Sequence, residues 1–315
     1  MKLAILGAGD VGRSVADLAG EYGHDVVALA DSSSAALDQS GIDVEDALEA
    51  KLSGGQVGED DPETVFDTDY DVLVEATPTT LDDAEPGFSH VKRALETDHH
   101  VVLANKGPVA ERYEELRALE ADSAGSIRFE ATVGGAIPVL STIEDSTPQA
   151  VTAVRGVLNG TANFILTRMA AEGLDYEHVL AEAQDLGVAE ADPTFDVDGT
   201  DAALKFVILA NVLSEGGFAL EDATVDGIQN VPGSALDLAA EDGQTIRLIG
   251  EATRDGVRVG PRLVPENSAL AVTGTRNIVQ IETKHAGSLH SSGRGAGGPE
   301  TATAVLSDVG RLPEL

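Results

Sequence analysis

One lysine stands out for what surrounds it. Lys205 closes a stretch from Ala183 that carries Glu190, Asp192, Asp196, Asp198 and Asp201, and it leads straight into the apolar run FVILA at 206–210. An amine at the edge of an apolar helix, with carboxylates converging on it, can work as an acid or base instead of remaining a solvated charge. Asp201 and Lys205 are four positions apart, so on a helix starting near Thr200 they share one face a turn apart. On a solvated face such a pair is a surface salt bridge worth about a few tenths of a kcal/mol. The apolar run argues for burial. Burial then favours the neutral amine, while Asp201 favours the ammonium and fixes its direction.

Two further sets of residues have types that suit chemistry. Asn159-Gly160-Thr161 lies between the β-rich AVTAVRGVL and the helical TANFILTRM. A turn of this kind presents backbone amides and a hydroxyl at a helix N-terminus, which suits a carboxylate and equally suits plain capping by Asn159 or Thr161. Lys106 ends the apolar VVLANKG; the chain has six lysines, so a lysine at the carboxyl edge of a strand invites a reason. It is either a surface residue capping the strand or part of a site.

The elements that must position these groups begin with KLAIL, a strand, then Gly7-Ala8-Gly9-Asp10-Val11-Gly12 and the helical RSVADLAGEYG. A G-x-G-x-x-G turn between strand and helix, with VVALAD as the next strand, is the context in which the motif binds a dinucleotide. Gly7 permits the turn, Gly9 the close approach of a pyrophosphate, and Gly12 the packing of helix on strand; the helix N-terminus attracts the anion. Asp31 ends the second strand, Val26 to Ala30, where its carboxylate can bond the adenosine ribose and repel a 2′-phosphate. That favours NAD, whereas Ser32, Ser33 and Ser34 could bind a phosphate, so NADP stays open. A strand at 71–76 puts Thr77 at its carboxyl end, where ligands of parallel sheets lie. Helices are expected over 88–98 and roughly 109–121, a strand over SIRFEATV, and a solvated helix and loop over 43–69.

After Val133 the character changes. Strands and helices around GVLNGTANF, a helix over 176–186, the acidic stretch, and a long helix over 201–213 are followed by alternating segments at 245–264 and 277–285 that read as antiparallel strands. The fold class is therefore α/β: a Rossmann-like dinucleotide-binding domain, 1–133 completed by 295–315, plus an α+β catalytic and dimerisation domain with a mixed sheet, 134–294.

Composition narrows the function classes. The chain has 315 residues, no cysteine, and 55 acidic against 20 basic residues, a net charge of −35. Disulfides and thiolate chemistry are excluded, and nucleic acid and anionic membranes are poor partners. No run approaches the roughly 20 apolar residues of a membrane span, and the N-terminus does not read as a signal peptide, so a cytoplasmic protein is expected. Acidity on this scale suits a salt-rich cytoplasm, as in a halophilic microbe, where a Debye length of about 3 Å at 1 M screens self-repulsion.

The ordered motifs resemble the homoserine dehydrogenase family. They are ANKGP at 104–108, EATVGGAIPV at 130–139, GVLNGTANFILTRM at 156–169, the set Ala183, Gly187, Asp192-Pro193, Asp196, Gly199, Asp201 and Lys205, and GAGGPETATAVLSD at 295–308. The resemblance covers nearly the whole chain. It implies interconversion of L-homoserine and L-aspartate 4-semialdehyde with NAD or NADP, in threonine and methionine biosynthesis, by a short form without a kinase or regulatory domain. It further implies that Lys205 exchanges the substrate proton with Asp201 orienting it, and that Lys106 lies beside the reacting carbons and nicotinamide. Glu190 and Asp196 would meet the substrate ammonium, Gly160 and Thr161 its carboxylate, and Gly295 the cofactor. Main-chain oxygens of Glu130, Val133, Gly135 and Ile137 would hold a monovalent cation, sodium or potassium, and the strands after Ser234 would form a homodimer. Two other readings share the first half: a dinucleotide-sensing regulator, and a dehydrogenase for another amino acid.

Overall fold

KLAIL and VVALA are unbroken apolar runs, the pattern of parallel strands covered on both faces. The computed structural model describes residues 1–313. It divides into two compact units, Met1–Ala136 with the segment from Ala296 onward, and Ile137–Gly295.

The first unit holds strands β1 (Lys2–Leu6), β2 (Asp25–Ala30), β3 (Ala35–Leu37), β4 (Val72–Glu75), β5 (His100–Leu103) and β6 (Ile127–Arg128). Their order in the sheet is β3-β2-β1-β4-β5-β6, parallel throughout except for β3 against β2. The chain reverses its direction of winding between β1 and β4, which opens a crevice at their carboxyl ends. Helices α1 (Asp10–Ala19), α2 (Val44–Gly54), α3 (Gly87–Glu96), α4 (Lys106–Glu111) and α5 (Tyr113–Ala121) connect the strands. The C-terminal helix Gly298–Val309 shares a core with α1, where Val305, Leu306 and Val309 join Val15, Ala16 and Ala19.

Three local expectations change. The helix expected over 109–121 starts earlier, at Lys106, and breaks at Arg112, whose backbone leaves the helical region at φ −132°. The Arg112 guanidinium lies 3.4 Å above the Phe88 ring and pairs with Glu115 at 2.6 Å. The strand expected over 126–133 is confined to Ile127–Arg128, and Glu130–Thr132 winds into a 3-10 turn. The short β3 occupies the sheet edge, in a segment for which no element was expected.

The second unit carries α6 (Leu140–Asp145), β7 (Val151–Val157), α7 (Gly160–Glu172), α8 (Tyr176–Asp185), α9 (Thr194–Val197), α10 (Thr200–Ser214), β8 (Thr224–Val225), α11 (Gly233–Glu241), β9 (Gln244–Thr253), β10 (Gly256–Pro265), β11 (Arg276–Thr283) and β12 (Gly287–Arg294); the C-terminal helix is α12. Its sheet runs β12-β11-β7-β9-β10-β8, antiparallel except for β8 with β10, so it is mixed. Helix α10, apolar nearly all round, is buried along almost its whole length. It lies so close to β9 that a Cβ added at Gly250 would stand 1.9 Å from the Phe206 ring. Among the described residues no helix is long and apolar enough to cross a membrane.

Candidate active site

The second unit gathers its polar groups where β7, α9 and α10 meet. Gly199 enters α10 in the left-handed region at φ 90°, and the next residue's amide is held by Asp198 at 2.8 Å. Asp201 and Lys205 then face inward, 7% and 8% exposed. Lys205 Nζ donates to Asp201 Oδ2 at 2.6 Å and to the Leu158 carbonyl at 2.7 Å. An ammonium has three donors. Two are committed, and the third is the one a substrate oxygen can take.

Asn159 lies beside this pair, donating to Asp196 Oδ1 at 2.6 Å and to Asp201 Oδ2 at 2.9 Å. Burial pushes the Asp196 carboxyl above its usual range; the Asn159 bond opposes this and the charge of Asp201 adds to it. A carboxylate in that position gains most from a cationic partner. At the start of α7, Asn159 Oδ1 caps the Ala162 amide at 2.8 Å, while the Gly160 and Thr161 amides belong to the first turn, where a helix supplies no internal acceptor. The Thr161 hydroxyl donates to the Val188 carbonyl at 3.0 Å and also lies close enough to Asp196 to lower its carboxyl, and a Cβ at Gly160 would stand 3.0 Å from the Thr275 carbonyl. Lys205, Asp201, Asp196, Gly160 and Thr161 thus come together. Glu190 stays outside: its carboxylate is exposed, and its backbone carbonyl accepts from Gln184.

In the first unit the three glycines divide by cause. A Cβ at Gly7, where φ is 104°, would stand 2.3 Å from the Ala76 carbonyl, and one at Gly12 would stand 1.7 Å from that of Gly7. Gly9 has nothing within 4 Å, so no neighbour in the protein requires its bareness. An open, side-chain-free surface at the N-terminus of α1 fits a diphosphate. Asp10 opens α1 and pairs with Arg13, and Val11 follows it half-buried.

Asp31 has both oxygens engaged: Oδ1 accepts the Ser33 and Ser34 amides at 2.7 and 2.9 Å, and Oδ2 accepts Lys51 Nζ at 2.7 Å. Burial works against its charge, but Lys51 and the serines outweigh it and hold the carboxyl down at about 2. The negative charge at this strand end is therefore met by an ammonium, which weakens any repulsion of a 2′-phosphate.

Thr77 donates through its amide, at 2.9 Å, and its hydroxyl to Glu75, a fully buried carboxylate whose other oxygen meets His90 Nδ1 at 2.7 Å. Asn105 Nδ2 joins Thr77 at 3.1 Å, and Asn105 Oδ1 caps α4 through the Gly107 amide. Lys106 is the first residue of that helix, its amide on Thr79 Oγ1. Glu75, His90, Asn105 and Lys51 escaped the sequence reading. Glu75 left a signal, a charge inside the apolar DVLVEA, and Lys51 another, as one of six lysines in the chain.

The segment implied for a cation is irregular backbone. Glu130 opens its 3-10 turn with its amide on Asp308 Oδ2 at 2.7 Å, Val133 follows, and Gly135 has φ 56°. Burial, with the Glu130 charge adding to it, pushes Asp308 up to about 7. Among the described residues no cluster of His, Cys, Asp or Glu could hold a metal, so a cation here would need carbonyl donors such as those of Val133 and Gly135. Ile137, the fourth implied donor, is buried in the second unit, and so is Gly295, whose added Cβ would stand 1.6 Å from Asn277 Nδ2.

A glycine-turned Rossmann unit and a unit holding a buried lysine under a carboxylate define the class: a dinucleotide-dependent dehydrogenase. Residues 138–309 match the family model described as homoserine dehydrogenase, and residues 1–82 match that described as glutamate/leucine/phenylalanine/valine dehydrogenase. A homoserine dehydrogenase of Methanocaldococcus jannaschii is 41% identical over 98% of this chain and 97% of its own. An NAD(+)-dependent homoserine dehydrogenase of Pseudomonas canavaninivorans is 35% identical over 98% and 95%. Among solved structures, one from Archaeoglobus fulgidus, itself provisionally described as a homoserine dehydrogenase, is 41% identical with a TM-score of 0.91 over 98% of each chain. A hyperthermophilic archaeal homoserine dehydrogenase in complex with NADPH is 28% identical with a TM-score of 0.85, over 98% of this chain and 96% of that one. The chain belongs to the homoserine dehydrogenase family.

Proposed function

We propose that Lys205 is the acid/base residue of the reaction this family performs, the NAD(P)-dependent interconversion of L-homoserine and L-aspartate 4-semialdehyde. The observation that carries the proposal is its buried amine, 2.6 Å from Asp201 Oδ2 and 2.7 Å from the Leu158 carbonyl. A hydride leaves an alcohol carbon only as its oxygen loses a proton, and a placed base accepts that proton. Asp201 aims the amine. Asp196, raised by burial, takes the substrate ammonium, with Glu190 reaching in from outside the cluster, and the Gly160 and Thr161 amides take the carboxylate. The first unit serves as the dinucleotide-binding domain through Gly7, Gly9, Asp10, Val11, Gly12, Asp31 and Thr77, with Gly295 also at the cofactor and Lys106 near the nicotinamide. The dinucleotide, when bound, supplies the hydride acceptor or donor. Carbonyls of Glu130, Val133, Gly135 and Ile137 hold a sodium or potassium ion. The protein works as a cytoplasmic homodimer, joined through the sheet of the second unit, in a salt-rich cell.

The test is NAD(P)H formation from L-homoserine with NAD and NADP in parallel, in about 2 M KCl to screen the acidic surface. Lys205→Ala should lower kcat by about 10²- to 10⁴-fold while the protein stays folded. Full turnover in that variant would remove the lysine from the mechanism. Cofactor binding without turnover of homoserine in the wild type would point to a sensor or to another amino acid.

A further inference from the structure

We infer that Asn159 is a positioning residue that keeps the two inner carboxylates in separate roles, Asp196 for the substrate ammonium and Asp201 for Lys205; the inference rests on the roles proposed above for those three residues. Asn159 is 3% exposed, and its amide is fully used. Oδ1 accepts the Ala162 amide at 2.8 Å, which sets the orientation of the group, because a flipped amide would place its NH₂ against that N–H and its oxygen against two carboxylates. Both protons of Nδ2 are then spent, one on Asp196 Oδ1 at 2.6 Å and one on Asp201 Oδ2 at 2.9 Å.

Asp201 Oδ2 is also the acceptor of Lys205 Nζ. One oxygen therefore carries the asparagine and the lysine together, and the asparagine ties that oxygen to the neighbouring carboxylate. The charged groups around Asn159 are Asp196 from α9 and Asp201 and Lys205 from α10, and Lys205 is near enough to Asp196 for its charge to act there. Two neighbouring carboxylates, one buried and one half-buried, repel. Without a donor between them, Asp196 would turn to the lysine, whose charge already acts on it, and pair with its remaining donor. That pairing would use up the group meant for the substrate ammonium and the donor meant for the substrate oxygen. A cap alone requires only Oδ1; the bridge requires the two N–H bonds as well.

Asn159→Ser and Asn159→Asp separate the two functions, because serine and aspartate both cap helices. In Asn159→Ser the cap acceptor stays and the bridge goes, because a serine has a single O–H on a shorter side chain in place of two N–H donors. Its melting temperature and its affinity for NAD or NADP should stay near wild type, while kcat/KM for L-homoserine falls about 10- to 100-fold through both KM and kcat. The acid limb of its pH profile should move to higher pH, because carboxylates no longer bridged hold the lysine as ammonium. Asn159→Asp keeps the shape but adds a third carboxylate, and its loss and alkaline shift should be larger. Lys205→Ala, measured alongside, separates the failures. If Lys205→Ala is inactive and Asn159→Ser keeps wild-type KM, kcat and pH profile, Asn159 is only a cap and the inference falls. If Lys205→Ala turns over normally, the reading of the site falls and the inference with it.

Discussion

Asp196 shows how far a single residue's surroundings set its chemistry. Its carboxyl is raised by burial and by Asp201, and lowered only in part by Asn159, Lys205 and Thr161. A raised carboxyl is protonated at a pH where an ordinary one is charged, and a protonated group no longer pairs with an ammonium. KM for L-homoserine should therefore rise with falling pH already in the range above the usual carboxylate titration, where a carboxylate of ordinary strength would stay charged. Asp196→Asn should raise KM by about 10- to 100-fold at neutral pH, affect kcat less, and flatten this pH dependence. Steady-state KM measured across that range checks it; a flat wild-type profile would take Asp196 out of ammonium binding. Lys205 and Asp201 were legible in the sequence because four-residue spacing on an apolar helix carries geometric information. Asn159 could be read there only as a cap, since its second function depends on Asp196 and Asp201, 37 and 42 positions away. Glu75, His90 and Asn105 form one network whose members lie 15 and 30 positions apart, a distance no local pattern encodes.

Whole elements were easiest to read where one period dominates the residues. The buried strands β1, β2, β4 and β5 and the apolar α10 announce themselves, while β12, GSLHSSGR, is a half-exposed edge strand whose polar residues match no template although every one of them pairs with β11. Arg112 interrupts an otherwise continuous helical pattern, and its guanidinium stacks on Phe88, a contact of tertiary packing that no local period encodes. The strand-turn-helix at Gly7 to Gly12 allows a division the motif alone does not. Gly12→Ala places a Cβ 1.7 Å from the Gly7 carbonyl, so α1 must move off β1, and the variant should lose several degrees of melting temperature along with cofactor binding. Gly9 has an ordinary φ of −78° and open space, so Gly9→Ala should melt like wild type yet bind NAD or NADP at least about tenfold more weakly. Thermal melts and fluorescence titration of the two variants test the split. Equal affinity for Gly9→Ala and wild type would mean that the diphosphate does not approach there.

At the scale of the molecule, charge is the dominant property. A net −35 on 32.4 kDa leaves far more carboxylates than cations to meet them. The arginines are already shared: Arg155 serves Glu251 and Glu282, Arg168 serves Glu172 and Glu182, and Arg112 serves Glu85 and Glu115. Repulsion among the remaining exposed carboxylates acts over the Debye length, about 10 Å at 0.1 M salt and about 3 Å at 1 M, so it reaches between neighbouring surface groups in dilute buffer and hardly at all in strong salt. The unfolded chain spreads the same charge over a larger volume, which makes low salt favour unfolding. The melting temperature should therefore climb between about 0.1 and 2 M KCl by on the order of 10 °C, equivalent to a few kcal/mol for a chain of this size. Screening does not depend on the identity of the cation, whereas carbonyl ligation in the Glu130 to Ile137 segment does. Tetramethylammonium chloride, too large for such a site, should reproduce the gain in melting temperature but not any potassium- or sodium-dependent gain in turnover. A melting temperature that stays level with salt would mean that this acidity is carried without cost in dilute buffer, and the inference of a salt-rich cytoplasm would go with it.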